Sequence, residues 1–139
     1  MINNICIDDL NSFKKLGLQV NNKFDKLFDL GNLLNSDIDY LYGYYNDDVL
    51  IAFIHIIILY ETMDVINIVV DEKYRNQEIG TKLLNYVVDK HKDINNIMLE
   101  VRDDNKIAIN FYYKNGFELI NRRKKYYGDC DALILKRDV

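Results

Sequence analysis

The sequence predicts an α/β domain with elements in the order β-α-α-β-β-β-α-β-α-β-β, built around a central strand covered on both faces. Three observations predict it. Short apolar runs rich in β-branched residues alternate with stretches whose apolar residues recur at helical spacing. The chain is 139 residues long and 49% hydrophobic, which is the length of one domain and enough apolar side chain for one core. No repeat, linker or low-complexity segment interrupts it, so residues 1–139 read as a single domain.

Each element has its own signal. Residues 2–7 alternate apolar and polar as an opening strand does. Asp8 or Asp9 then stands where a cap belongs, ahead of a helix carrying Leu10, Phe13, Leu16 and Leu18. A second helix over 22–34 puts Phe24, Leu27, Phe28, Leu30 and Leu34 near one face. Strands at 37–45 and 49–59 flank Asn46-Asp47-Asp48, a tight-turn composition. The second of these is apolar on both faces, as a central strand covered on each side must be. After a strand at 63–70, Ile79, Leu83, Leu84, Val87 and Val88 form one helical stripe that ends near His91. A strand at 94–101 leads to a helix at 106–115, with Asn105 placed to cap it and Gly116 where a left-handed terminator belongs. Strands at 117–121 and 132–135 close the chain. Pro is absent, so Asn, Asp and Gly punctuate the elements.

Composition excludes several functions. A net charge of -4 with no basic stripe disfavours nucleic-acid and anionic-membrane partners. Arg122-Arg123-Lys124-Lys125 is the exception; four consecutive positions cannot share one face of a strand, so the run reads as a solvated edge or loop. Cys6 and Cys130 lack the paired spacing of metal sites and read as plain buried or half-buried thiols in a reducing compartment. His55 lies in a core strand and His91 near a helix end, and both read as structural. The start of the chain has neither the basic segment nor the apolar core of a signal peptide, and the longest apolar run is too short for a bilayer. A cytoplasmic protein is expected.

Two segments carry chemistry. In the first, Ile66 to Val70 leads through a polar loop, Arg75-Asn76-Gln77-Glu78, to a helix opening at Ile79-Gly80-Thr81. Such a junction aims free backbone N–H groups and the positive end of a helix dipole at one point, which favours a phosphate. An ordinary strand–helix loop capped by Gln or Glu is the alternative. In the second, Glu100 interrupts Ile97-Met98-Leu99-Glu100-Val101, and a carboxylate inside an apolar strand needs a reason. It either pairs with Arg102 on the same face or works as a general base near the strand ends, where open sheets place ligands. Asn105 and Tyr112 follow, two helical turns apart on one face, as cap and core residue or as functional groups. Tyr113, adjacent, points elsewhere, towards solvent.

Together these segments resemble the acetyl-CoA-binding half of the GCN5-related N-acetyltransferases (GNAT fold), whose element order is the one above. The resemblance implies an α/β fold with one mixed sheet and helices on both faces. The family's pyrophosphate loop reads Arg or Gln, two variable residues, Gly, one more, then Gly or Ala. Arg75 and Gly80 match it, whereas Glu78 replaces the first glycine. A left-handed backbone there costs a non-glycine residue about 1 kcal/mol, and a carboxylate must turn away from the pyrophosphate. The resemblance implies that acetyl-CoA is held by Ile68, Val69, Val70, Arg75, Asn76, Gln77, Glu78, Ile79, Gly80, Thr81 and Asn105. It further implies that Glu100 is the base and that Tyr112 protonates the leaving thiolate. The Leu-Glu-Val-Arg pattern is similar to ribosomal-protein-alanine N-acetyltransferases. Tyr126-Tyr127-Gly128-Asp129 before Asp131-Ala132 is similar to protein N-terminal acetyltransferases, where such tyrosines line the slot for the substrate's first residues. Packing in an edge hairpin is the other role open to Tyr126 and Tyr127. The expected reaction is transfer of acetyl from acetyl-CoA to a protein's N-terminal α-amine, possible partners including a ribosomal protein. A small-amine acetyltransferase and a non-catalytic acyl-CoA-binding module are the rival expectations.

Overall fold

The computed structural model describes residues 1–139. Its elements are β1 (Ile2–Asn4), a 3-10 turn (Ile7–Asp9), α1 (Leu10–Leu18), α2 (Phe24–Leu27), α3 (Leu30–Leu34), β2 (Asp39–Asn46), β3 (Val49–Leu59) and β4 (Thr62–Val70). A 3-10 turn (Glu72–Tyr74), α4 (Ile79–Lys90), β5 (Asn96–Arg102), α5 (Lys106–Lys114), β6 (Glu118–Arg123) and β7 (Ala132–Asp138) follow. All seven strands form one sheet in the order β1-β2-β3-β4-β5-β7-β6. Only β4 and β5 pair in parallel. No helix is long and apolar enough to cross a membrane.

The sheet has a core on each face. On one, Ile54, Ile56, Met63, Val65, Leu99 and Leu135 pack with Leu83, Leu84 and Val87 of α4 and Ile109 of α5. On the other, Phe53 and Val69 pack with Phe13, Leu16, Phe24 and Leu30 from the N-terminal helices. β3 is buried from Leu50 to Ile56, as its two-sided apolar sequence predicts. The β2–β3 turn is Asp47-Asp48, both at positive φ (49° and 66°), the two-residue conformation that matches strand twist.

Four expectations are corrected. The helix over 22–34 is two short ones: Phe28 leaves the helical region (φ −129°, ψ 115°), and Asp29 caps α3 by accepting the Asn32 N–H at 3.0 Å. Phe28 turns out to meet the rings of Phe24 and His55, so tertiary packing overrides the helical period. Leu27 and Leu34 are left exposed. Neither aspartate caps α1 by a side-chain bond. The Asp9 carboxylate instead accepts the Cys6 N–H at 3.1 Å and the Tyr45 hydroxyl at 2.7 Å. β1 is shorter than residues 2–7 because the chain enters the 3-10 turn, which leaves Cys6 exposed rather than buried.

Candidate functional site

The fork between β4 and β5 is the central feature. The two strands pair only at Thr62↔Asn96, Met63↔Ile97 and Asp64↔Met98. Beyond that point β4 runs on to Val70 and β5 to Arg102 without pairing each other. A bulge helps part them: His55 faces Asn67 and Ile56 faces Val65, so Ile66 is an extra residue in β4. The backbone groups of β4 that face β5 are thereby left without a strand partner.

The loop after β4 delivers a second set of free donors. Asp71 caps the 3-10 turn through the Lys73 N–H (3.2 Å), and the Arg75 Nε donates to the Val70 carbonyl at 3.2 Å, folding the loop back on the strand end. Asn76 and Glu78 both take left-handed conformations, φ 65° and 61°. The first bond of α4 is Lys82 N–H to Glu78 C=O at 3.0 Å, and none of the N–H groups from Asn76 to Thr81 donates within the chain. Glu78 does occupy a backbone position suited to glycine, and its carboxylate turns towards Lys114 on α5, 3.4 Å away. Gly80 has a packing reason beside the one its motif suggests. A Cβ there would meet the Phe111 ring at 3.2 Å, so the glycine lets α4 and α5 approach.

Below the fork lies a pocket of about 470 Å³ lined by Asp64, Ile66, Met98, Glu100, Arg123 and Tyr127 among others. Asp64 faces Met98 across the paired stretch, and Glu100 lies two residues further on, so all three share a face. Glu100 pairs with Arg123 of β6 at 3.1 Å, not with Arg102. Arg102 is held instead by Asp104 (3.1 Å) and Asp129 (3.0 Å) and lies over the Tyr127 ring. Burial first, and then the Glu100 charge, push the Asp64 carboxyl above its ordinary range. The same two causes raise the Tyr127 hydroxyl. Tyr126 stands edge-on to Tyr127, with the Arg123 guanidinium 5.3 Å from its ring.

Tyr112 approaches from the other face. It packs on the core that holds Ile97, Leu99 and Val101, whose side chains point opposite to Glu100, and it touches the rings of Phe111 and Phe117. Burial pushes its hydroxyl up to about 12. Asn105 caps α5, its side-chain oxygen accepting the Ala108 N–H at 3.2 Å. Ile68 and Val70 pack towards the larger core and Val69 lies in the smaller one, so these residues offer the fork backbone rather than side chain.

The structure thus gathers Glu100 and Tyr127 in one pocket, whereas Tyr112 lies on the opposite face of the sheet and the loop Arg75–Thr81 follows the far end of β4. The histidines lie apart. His55 is buried against Asp39, itself held by Ser36 at 2.6 Å, and His91 meets the Tyr42 hydroxyl at 2.8 Å. A smaller cavity of about 260 Å³ beneath Leu33 and Leu34 has Asp39 as its single charged lining residue, already engaged by His55. Asp103, Asp104 and Cys130 come together, but Arg122 and Arg102 take the two carboxylates. Sequence reasoning missed Asp64 and Arg123 as pocket residues. Only the alternation in β4 marked Asp64 as facing away from Met63 and Val65, and its neighbours come from other strands.

Comparison with known proteins agrees with this geometry. The model of the acetyltransferase (GNAT) family matches residues 9–117. N-alpha-acetyltransferase 50 of Danio rerio is 42% identical over 72 residues, which are 48% of this chain and 43% of that protein. The chain spans about half the length, or less, of the curated relatives it matches. In overall shape it is similar to the ribosomal-protein-S18-alanine N-acetyltransferase from Escherichia coli, with a TM-score of 0.86 at 22% identity, covering 100% of this chain and 93% of that one. It is also similar to the Paia N-acetyltransferase from Thermoplasma acidophilum in complex with coenzyme A, with a TM-score of 0.85 at 21% identity, covering 100% and 98%.

Proposed function

Since the chain belongs to the acetyltransferase (GNAT) family, we propose that it transfers acetyl from acetyl-CoA to the α-amine at a protein's N-terminus, in the manner of ribosomal-protein-alanine acetyltransferases. The observation that carries the reading is the fork, with unpartnered amides at Gln77–Thr81 above it and a carboxylate pocket below it. Acetyl-CoA supplies an acetyl thioester. The free N–H groups and the N-terminus of α4 suit its pyrophosphate, a match worth about 0.3–2 kcal/mol per charge. The open edge of β4 suits an amide-bearing arm, which can pair there as an added strand does.

Glu100 and Tyr112 lie on opposite faces of the sheet, which suits the separate tasks proposed for them. The C–N bond forms as the C–S bond breaks. Glu100, through a water, takes the proton that the amine must lose. With an α-amine pKa of about 7.7–8.0, roughly one acceptor in seven is already neutral at pH 7. A lysine, near 10.4, carries a handicap of some 3–4 kcal/mol. Tyr112 keeps its proton at neutral pH because burial disfavours the phenolate. It therefore serves the leaving sulfur as a hydrogen-bond donor, since full transfer to a thiolate of pKa about 8.5 is uphill. Tyr127 lines the pocket with Tyr126 edge-on to it, and the likeness to named N-terminal acetyltransferases supports a peptide acceptor.

The test is competition. A peptide beginning with Ala or Ser is acetylated, and blocking its α-amine while leaving a lysine free abolishes transfer. Preference for the lysine or a polyamine overturns the reading.

A further inference from the structure

The pocket holds two carboxylates in unlike circumstances. Glu100 is neutralised by Arg123 at 3.1 Å, and its side chain is 36% exposed. Asp64 makes no ion pair and no side-chain hydrogen bond in the structure, although it is half-buried at the last paired position before the fork. A partly desolvated carboxylate without a donor is costly, and such a group is stabilised by whatever cation reaches it. The cations lining the sheet here are spoken for: Arg123 by Glu100, Arg102 by Asp104 and Asp129, Arg122 by Asp103 and Asp131, and Lys136, opposite Met98, by Asp138. With one arginine facing two carboxylates, the pocket is left one negative charge in excess.

We propose that Asp64 is the residue that binds the acceptor as an ammonium ion, anchoring the amine at the mouth of the fork beside Glu100. The inference rests on the acetyltransferase reading and adds a division of labour to it. An amine arrives mostly protonated at neutral pH, so a site must first hold the cation and then remove its proton. Asp64, unpaired, does the holding. Glu100, oriented by Arg123, lies on the same face two residues beyond the paired position; it passes the ammonium's proton through water to solvent and takes the second proton as the C–N bond forms, CoA leaving as the thiolate. Asp64 thereby determines specificity for cationic acceptors over their uncharged analogues.

The experiment uses the full chain and two readouts. Initial rates are measured with an Ala-starting peptide at saturating acetyl-CoA for the wild type, Asp64→Asn and Asp64→Glu. Asp64→Asn raises KM about tenfold or more, from losing a charge-assisted hydrogen bond, with kcat changed less than threefold; Asp64→Glu recovers part of the affinity. In calorimetry on CoA-loaded enzyme, the wild type prefers the peptide to its des-amino analogue, and Asp64→Asn loses that preference. An unchanged KM, a fall in kcat alone, or equal weakening of both peptides overturns the assignment. If the wild type acetylates a small amine and no peptide, the acceptor reading falls, and the same KM measurement on that amine decides Asp64 separately.

Discussion

Two helices begin just beyond the fork, and their first turns are finished in opposite ways. At α5 the Asn105 side chain accepts the Ala108 N–H at 3.2 Å, closing the turn on itself. At α4 the capping position is Glu78, whose carboxylate turns aside to Lys114, and the amides from Asn76 to Thr81 donate to nothing in the chain. A capped end is a finished piece of structure, whereas an uncapped one is a donor array awaiting an acceptor. The difference assigns the two strand–helix units different work. In the function we propose, β4–α4 holds acetyl-CoA by its backbone, while β5–α5 supplies the side chains Glu100 and Tyr112. Mutations in the first should therefore move cofactor affinity, and mutations in the second should move turnover.

The largest effect belongs to the β5–α5 unit. Glu100→Gln lowers kcat by about 10²–10⁴ and Tyr112→Phe, which removes one donor to developing negative charge, by about 10²–10³, while calorimetric affinity for acetyl-CoA stays at the wild-type value. Near-full activity of both variants from pH 6 to 9 would remove chemistry from this unit and break the contrast.

Next comes the close contact that lets the open end exist. Gly80→Leu drives a side chain into Phe111, which a Cβ alone would approach to 3.2 Å. It weakens acetyl-CoA binding tenfold or more, and overpacking costs about 1–3 kcal/mol of stability. Gly80→Ala does the same more mildly, and Phe111→Leu restores it by making room. Failure of that rescue would mean that the glycine is needed for the ligand's approach rather than for packing between helices.

Smaller effects sharpen the comparison of the two first turns. Asn105→Ala costs about 1 kcal/mol of stability through the lost cap. Glu78→Gly relieves a left-handed residue at φ 61° and gains up to about 1 kcal/mol, with acetyl-CoA affinity intact or improved. Thermal melts and calorimetry on the pair give both numbers. A loss of affinity in Glu78→Gly would assign the carboxylate, or its pairing with Lys114, a part in holding the loop.

What the sequence disclosed follows the same division between local and distant causes. The stripe of α4, the Asn105 cap and the terminator at Gly116, with φ 88°, were legible because spacing and cap chemistry are local. So was the strand–loop–helix junction with its replaced glycine. The break between α2 and α3 was not, because Phe28 leaves its helix for Phe24 and His55, a partner far along the chain. The pocket was half legible. Glu100 stood out as a carboxylate among apolar neighbours, but its partner, Arg123, comes from β6. Arg102, two residues away and on the same face, is drawn off by Asp104 and Asp129. Asp64 became visible only once β4 lay beside β5.

The smallest effect concerns pH and contrasts the two faces of the sheet rather than the two helices. Burial lowers His55 below the ordinary histidine value, with the Asp39 carboxylate opposing it; burial and then Lys90 lower His91. A histidine held neutral by the fold contributes stability above its unfolded value of about 6.5, and that contribution is lost as pH falls through the lower, folded one. Melting temperature should thus drift down between pH 7.5 and 5. Asp104 and Asp131, held low by arginine and backbone partners, lose their contributions only below the ordinary carboxylate value of 3.8, outside this window. Asp64, raised by burial and by Glu100, acts in the opposite sense, so Asp64→Asn should steepen the decline or leave it unaltered. His55→Gln should flatten it. A melting temperature that rises on acidification would show that the Asp39 carboxylate outweighs burial, making His55 a charged partner beneath the N-terminal helices rather than a neutral one.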